Sequence, residues 1–99
     1  MRRGHVYDIE HGGRTRRVLV VSDDLANERL AIATCVEVHD PGETAPSLLA
    51  TELTAPVPGT AVVDAYATFA ARYFARDLGP VAPRDMEAVE TGMRVILAL

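Results

Sequence analysis

The chain has 99 residues, 48% of them hydrophobic, and a formal net charge of −4 at pH 7, which is enough for one hydrophobic core and predicts a single domain over 1–99. A mean hydropathy of +0.08, no run near the roughly 20 apolar residues of a membrane span, and no apolar signal core after Met1–His5 argue against a membrane partner and predict a cytoplasmic protein. One cysteine, Cys35, and three scattered histidines exclude an internal disulfide and offer no metal-ligand spacing, so no metal and no cofactor are expected.

Val6–Ile9 reads as a first strand, and Gly12-Gly13 as a tight reversal, because glycine alone reaches positive φ freely. Arg17–Val21 is the second strand, which makes residues 5 to 21 a hairpin. Ser22-Asp-Asp24 ends it, and a short helical turn over Asp24–Arg29 follows, capped by Ser22 or Asp23. Ala31–Val38 is the third strand. Its alternation puts Ile32, Thr34, Val36 and Val38 on one face and Ala33, Cys35, Glu37 and His39 on the other. With the first set in the core, Glu37 and His39 point together to the opposite side, and Thr34 faces inward.

Asp40-Pro-Gly is a turn signal, and the chain to Pro46 is a polar loop. Leu48–Leu53 is a fourth strand, and Ala55-Pro-Val-Pro-Gly59 a loop that proline keeps out of any central strand. Thr60–Asp64 restarts a strand. From there, Tyr66, Phe69, Tyr73 and Phe74 with intervening alanines give a helix over about 65 to 77 on propensity alone. The last element is a helix from Pro83, with Asp85 and Glu87 near its positive end and Arg94 near its negative end. Its stripe of Met86, Val89, Met93, Ile96 and Leu97 is to pack on the sheet. Gly92 within it points to a close backbone approach or to simple tolerance.

All ten basic residues are arginine, and Arg2, Arg3, Arg14, Arg16 and Arg17 precede residue 18 against only Asp8 and Glu10. The net charge argues against a generic nucleic-acid binder, but this distribution allows a local basic surface for a small anion or a short strand. Guanidinium groups present a planar fork of donors suited to phosphate or carboxylate.

The order of motifs resembles the MazF/PemK toxins of type II toxin–antitoxin systems. The matching pieces are Arg3-Gly-His-Val-Tyr7, Arg16-Arg-Val-Leu-Val-Val-Ser-Asp-Asp24 after a Gly-Gly turn, Gly59-Thr-Ala-Val-Val-Asp64, and Leu78-Gly-Pro through Leu99 with its Pro-x-x-Met and closing Leu-x-Leu. The resemblance implies a mainly β (α+β) fold, a small, strongly curved antiparallel barrel-like sheet of the PemK/CcdB/SH3-like kind with a C-terminal helix. It implies a homodimer that grips single-stranded RNA and is neutralised by a cognate MazE-like antitoxin. It also implies that residues 66 to 78 form a strand end, a short helical turn near Ala70–Arg72 and another strand, which we adopt over the local helix propensity.

Members of that family are metal-independent endoribonucleases in which the 2′-hydroxyl attacks the adjacent phosphate, an arginine stabilises the phosphorane and a threonine on the third strand assists. Carried over, the arginine is Arg16, with Arg17 in place of a proline, and the threonine position is Glu37. His5 replaces an acidic residue, and Ala67-Thr68 stands for an Arg-Thr pair.

A carboxylate, an imidazole and a guanidinium are the parts needed for deprotonation, leaving-group protonation and phosphorane stabilisation, so Arg16, Glu37 and His39 are the candidate catalytic residues and Arg14 and Arg17 the candidate RNA-binding ones. In the alternative, Glu37 forms a salt bridge with Arg16 or Arg14, worth about 4 kcal/mol at 4 Å and an effective dielectric of about 20 before desolvation. The chain is then a non-catalytic or degenerate MazF/CcdB-like module that binds a protein partner.

Overall fold

The computed structural model describes residues 1–99. Six strands form one antiparallel sheet in the order β4-β5-β3-β2-β1-β6, where β1 is His5–His11, β2 Arg14–Val20, β3 Ile32–His39, β4 Ala50–Leu53, β5 Gly59–Ala70 and β6 Phe74–Pro80. The helices are α1, Asp24–Leu30, and α2, Pro83–Leu97. The sheet is curved and unclosed, with β4 and β6 as its edges. No helix is long and apolar enough to cross a membrane.

The β1–β2 hairpin turns on Gly12 and Gly13, at φ +62° and +75°, as the glycine pair predicts. Asp23 caps α1 by accepting from the Ala26 N–H at 3.1 Å. Pro83 opens α2, and the expected stripe supplies Val89 to the core with Met86, Met93 and Ile96 packed beside it, while Leu97 is left half exposed. Gly92 does mark a close approach: a Cβ there would lie 2.8 Å from the Leu48 carbonyl oxygen and 3.0 Å from Val63 Cγ2.

Propensity fails over residues 65 to 77. β5 runs twelve residues to Ala70, a 3-10 turn covers Ala71–Tyr73, and β6 follows. The alanines favour helix locally, but Phe69 and Phe74 instead pack onto the sheet face that already holds Tyr7 and Ile9, and tertiary burial outweighs a few tenths of a kcal/mol per residue.

Both faces of the sheet are buried over part of their area. Under α2 lie Val6, Leu19, Val36, Val38, Leu53, Ala61, Val63, Val81 and Val89. The other face gathers Tyr7, Ile9, Val18, Val20, Ala33, Cys35 and Phe69. The alternation of β3 therefore holds, but a single-core assumption does not, because Ala33 and Cys35 are as buried as Val36 and Val38. Thr34 is corrected from core-facing to half exposed. The helix covers β4 and β5 and leaves this end of β3 open, so Thr34 hydrogen-bonds Thr68 across the strands, Oγ1 to Oγ1 at 3.0 Å.

Two irregularities shape the functional end. β2 and β3 are paired only at Val18–Val20 with Glu37–Cys35, beyond which they splay. The β3–β5 register jumps between Val36, opposite Tyr66, and Glu37, opposite Val62, leaving Val63, Asp64 and Ala65 as a bulge on β5. Bulges bend a strand and re-aim its side chains, and they recur beside active sites.

Candidate active site

On β2, Arg14 and Arg16 share the face of Val18 and Val20, because side chains alternate along a strand. Glu37 stands opposite Val18 on β3, and His39 is two residues further on the same face. Where β2 and β3 splay, a cleft of about 570 Å³ opens, lined by Arg14, Arg16, Glu37 and His39 together with Arg17 and Asp8. The sequence-predicted residues are thus brought to one cleft. Arg17 alternates to the other face, where its Nε donates to Asp8 Oδ1 at 3.2 Å, and Arg76 holds the second Asp8 oxygen at 3.0 Å.

Glu37 takes a different partner from the one the alternative reading requires. Its Oε2 lies 3.1 Å from His39 Nε2, and neither Arg14 nor Arg16 pairs with a carboxylate. The physical reason is the splay: a direct i, i+2 neighbour on the same strand face is closer to Glu37 than an arginine across a widening gap. Both arginines keep their donors available.

His39 is held at both nitrogens. Its Nδ1 is 2.8 Å from Thr44 Oγ1, with Glu43 Oε1 at 3.9 Å. When the ring is neutral and protonated at Nε2, that nitrogen donates to Glu37 and Nδ1 accepts from the Thr44 hydroxyl; as an imidazolium, both nitrogens donate.

Sequence reasoning missed Thr44. Its signal was the turn: the Glu43 N–H donates to the Asp40 carbonyl at 3.1 Å and Gly42 sits at φ +81°, so Asp40-Pro-Gly-Glu43 folds the loop back and lays Thr44 against His39. Gly59 is the other hidden contributor. A Cβ on it would lie 2.8 Å from both the His39 carbonyl oxygen and Val38 Cγ1, so only glycine lets β5 pass this close to the end of β3.

Arg3, His5 and His11 make structural contacts away from the cleft. Arg3 bonds the Val21 carbonyl at 2.9 Å and Glu90 at 3.1 Å, tying the N-terminus to α2, which disperses the basic N-terminal cluster seen in sequence. His5 Nδ1 is 3.0 Å from Asp77 Oδ1, and the Gly79 N–H donates to the same oxygen. Although partial burial pushes the Asp77 carboxyl up, these hydrogen bonds outweigh it and hold Asp77 below the ordinary carboxylate value. His11 packs edge-on against Phe69 and Tyr73, with ring centroids 5.5 and 4.7 Å away. Burial pushes the Cys35 thiol up to about 12, which makes it a small apolar core residue and not a nucleophile.

No protein-family model matches the chain, and no curated protein matches its sequence significantly. Solved structures do match. An endoribonuclease in complex with its cognate antitoxin, from a mycobacterial species, superposes with a TM-score of 0.89 at 23% identity over 98% of this chain and 94% of that one. MazE-MazF from Deinococcus radiodurans gives a TM-score of 0.85 at 20% identity, covering 100% and 96%. The Mycobacterium tuberculosis toxin MazF-mt6 gives 0.81 at 13%, covering 96% and 97%. Coverage this complete on both sides leaves no element of the sheet or of α2 unmatched, and the chain therefore has the MazF fold.

Proposed function

We propose that this protein is the toxin of a type II toxin–antitoxin system, a cytoplasmic, metal-independent endoribonuclease that cuts single-stranded RNA and is held in check by a MazE-like antitoxin. The fold supports the class, since chains of that fold include proteins described as endoribonucleases and as MazE-MazF. The observation that carries the chemistry is the direct Glu37–His39 hydrogen bond in a cleft that also holds Arg16 and Arg14 without carboxylate partners.

Glu37 removes the proton of the 2′-hydroxyl, and that oxygen attacks the adjacent phosphorus. Arg16 stabilises the charge that builds on the phosphorane, and Arg14 anchors the strand through a neighbouring phosphate. The P–O5′ bond breaks as the leaving 5′-oxygen takes a proton from the His39 imidazolium at Nε2, giving a 2′,3′-cyclic phosphate and a 5′-hydroxyl. As Glu37 becomes protonated its grip on Nε2 weakens, and afterwards the proton returns from Glu37 to His39 across the same 3.1 Å contact. Base and acid are thereby reset without help from solvent. Thr44 keeps the ring in place from the Nδ1 side.

One observation favours the second reading, a non-catalytic module that binds a protein partner: the cleft also carries Asp8, Asp40 and Glu43, which repel phosphate. Incubating the protein with single-stranded RNA in chelator separates the two. Cleavage leaving cyclic phosphate, lost in Arg16→Ala and Glu37→Gln, supports the nuclease. Growth arrest with intact RNA supports the module.

A further inference from the structure

The hairpin that carries Arg14 and Arg16 overhangs the sheet. β1 pairs with β6 only as far as Ile9, opposite Phe74, and β2 pairs with β3 only from Val18 onward, so the strand residues from Glu10 to Arg17 are paired solely within the hairpin. A Cβ on Gly12 or Gly13 would meet nothing within 4 Å, which leaves the tip in open space. An isolated two-stranded hairpin is marginal in water, so the position of this arm depends on its side-chain ties. On one face a tie lies at its root, where Asp8 joins Arg17 to Arg76 of β6.

The tie nearest the tip is His11, on the opposite face. Its ring packs edge-on against Phe69 and Tyr73, with centroids 5.5 and 4.7 Å away. Both partners are themselves held. Phe69 is buried in β5 opposite Ala33 of β3, the strand that carries Glu37 and His39. Tyr73 lies in the 3-10 turn with the Arg72 guanidinium 4.7 Å over its ring. His11 stands directly across the hairpin from Arg14, one step along the same face from the Ile9–Arg16 pair. The ring therefore couples the arm that bears the two arginines to the part of the sheet that bears Glu37 and His39, on the side where β2 and β3 have parted.

We propose that His11, seated against Phe69 and Tyr73, is a positioning residue that fixes the overhanging arm and so sets where Arg14 and Arg16 stand relative to Glu37 and His39. The proposal rests on the nuclease reading above, because this placement bears on catalysis only where the arginines act on a phosphodiester. Arginines on a loosened arm still attract phosphate, but they no longer meet the phosphorane in one geometry, and a displacement of about 1 Å is enough to cost about 100-fold in rate. The signature is a fall in kcat with little change in KM. The contact is between rings, so phenylalanine is the replacement that preserves it.

The variants that test this are His11→Thr, which keeps strand propensity and removes the ring, His11→Phe, which keeps a ring, and Tyr73→Leu, which removes the partner. Hydrogen exchange of the backbone amides of Glu10 to Arg17 reads the arm without reference to activity, and cleavage of single-stranded RNA reads kcat and KM. In His11→Thr, exchange in the arm is expected to rise about 10-fold while the β3–β5 amides stay protected. Its kcat is expected to fall about 10- to 100-fold with KM within about threefold of wild type, and His11→Phe to restore both readouts. Should His11→Thr fail to fold, Tyr73→Leu reads the same contact from its other side. Unchanged exchange in a folded variant that lacks the ring, or raised exchange with wild-type kcat, overturns the positioning role and leaves the nuclease reading standing. Wild-type protein that cuts no RNA overturns the nuclease reading and the catalytic role of His11 with it, whereas exchange still decides whether His11 holds the hairpin.

Discussion

In the proposed mechanism Arg16, Glu37 and His39 act as a set, because a base without an oriented acid, or both without charge stabilisation, leaves most of the barrier in place. Glu37→Gln and His39→Asn are each expected to lower kcat by about 10²- to 10⁴-fold, and Arg16→Ala by about 10²- to 10³-fold, measured under single-turnover conditions on a cleavable oligonucleotide. Thr44 does less. Losing one hydrogen bond to His39 is worth about 1 kcal/mol, so Thr44→Val should slow cleavage several-fold while Thr44→Ser restores it. An unchanged Thr44→Val rate would show that the 2.8 Å contact does not hold the ring during turnover. The residues of this site were half legible in sequence. Arg16 and the shared face of Glu37 and His39 follow from strand alternation and the family resemblance. Thr44 depends on how a turn folds back, and the partner of Glu37 depends on where β2 and β3 part, and neither is a local property.

At the level of elements, the hairpin and α2 were legible because their signals, a glycine pair and an apolar stripe after a proline, are local. The strands over 65 to 80 were legible only through the family resemblance, since alanine-rich sequence favours helix locally and burial of Phe69 and Phe74 reverses that preference. Replacing Gly92 by alanine would gain about 1 kcal/mol in an isolated helix, but the new Cβ would meet the Leu48 backbone at 2.8 Å. Backbone cannot yield as a side chain can, so the net effect is a loss of about 1–3 kcal/mol, read from chemical denaturation. The β1–β6 edge is tied by His5 and Asp77. The Asp77 carboxyl is held low, so its ionised form is favoured by folding; this contribution is complete above the ordinary carboxylate value of about 4 and is lost as pH falls through the lowered folded value. Asp77→Asn should therefore lower the melting temperature at pH 7 and flatten its fall in acid. Parallel melting curves for wild type and variant across that range would contradict the assignment.

For the whole molecule, the charge distribution matters more than its sum. A net charge of −4 would deter a long duplex, yet Arg14 and Arg16 stay available because Asp8 takes Arg17 and Arg76, Glu90 takes Arg3, and His39 takes Glu37. Two arginines at phosphates predict a shallow salt dependence of RNA binding, a slope of log K against log salt of no more than about −1.4 for a single strand. A homodimer would carry two such clefts, and sedimentation would detect it as a particle of twice the chain mass. The proposed function requires that this cleft cuts RNA. The most direct measurement is incubation of purified protein with single-stranded RNA in chelator, with the 3′ ends of the products analysed. Products ending in 2′,3′-cyclic phosphate that disappear with Glu37→Gln are predicted, whereas intact RNA, or cleavage undiminished in Glu37→Gln, would contradict it.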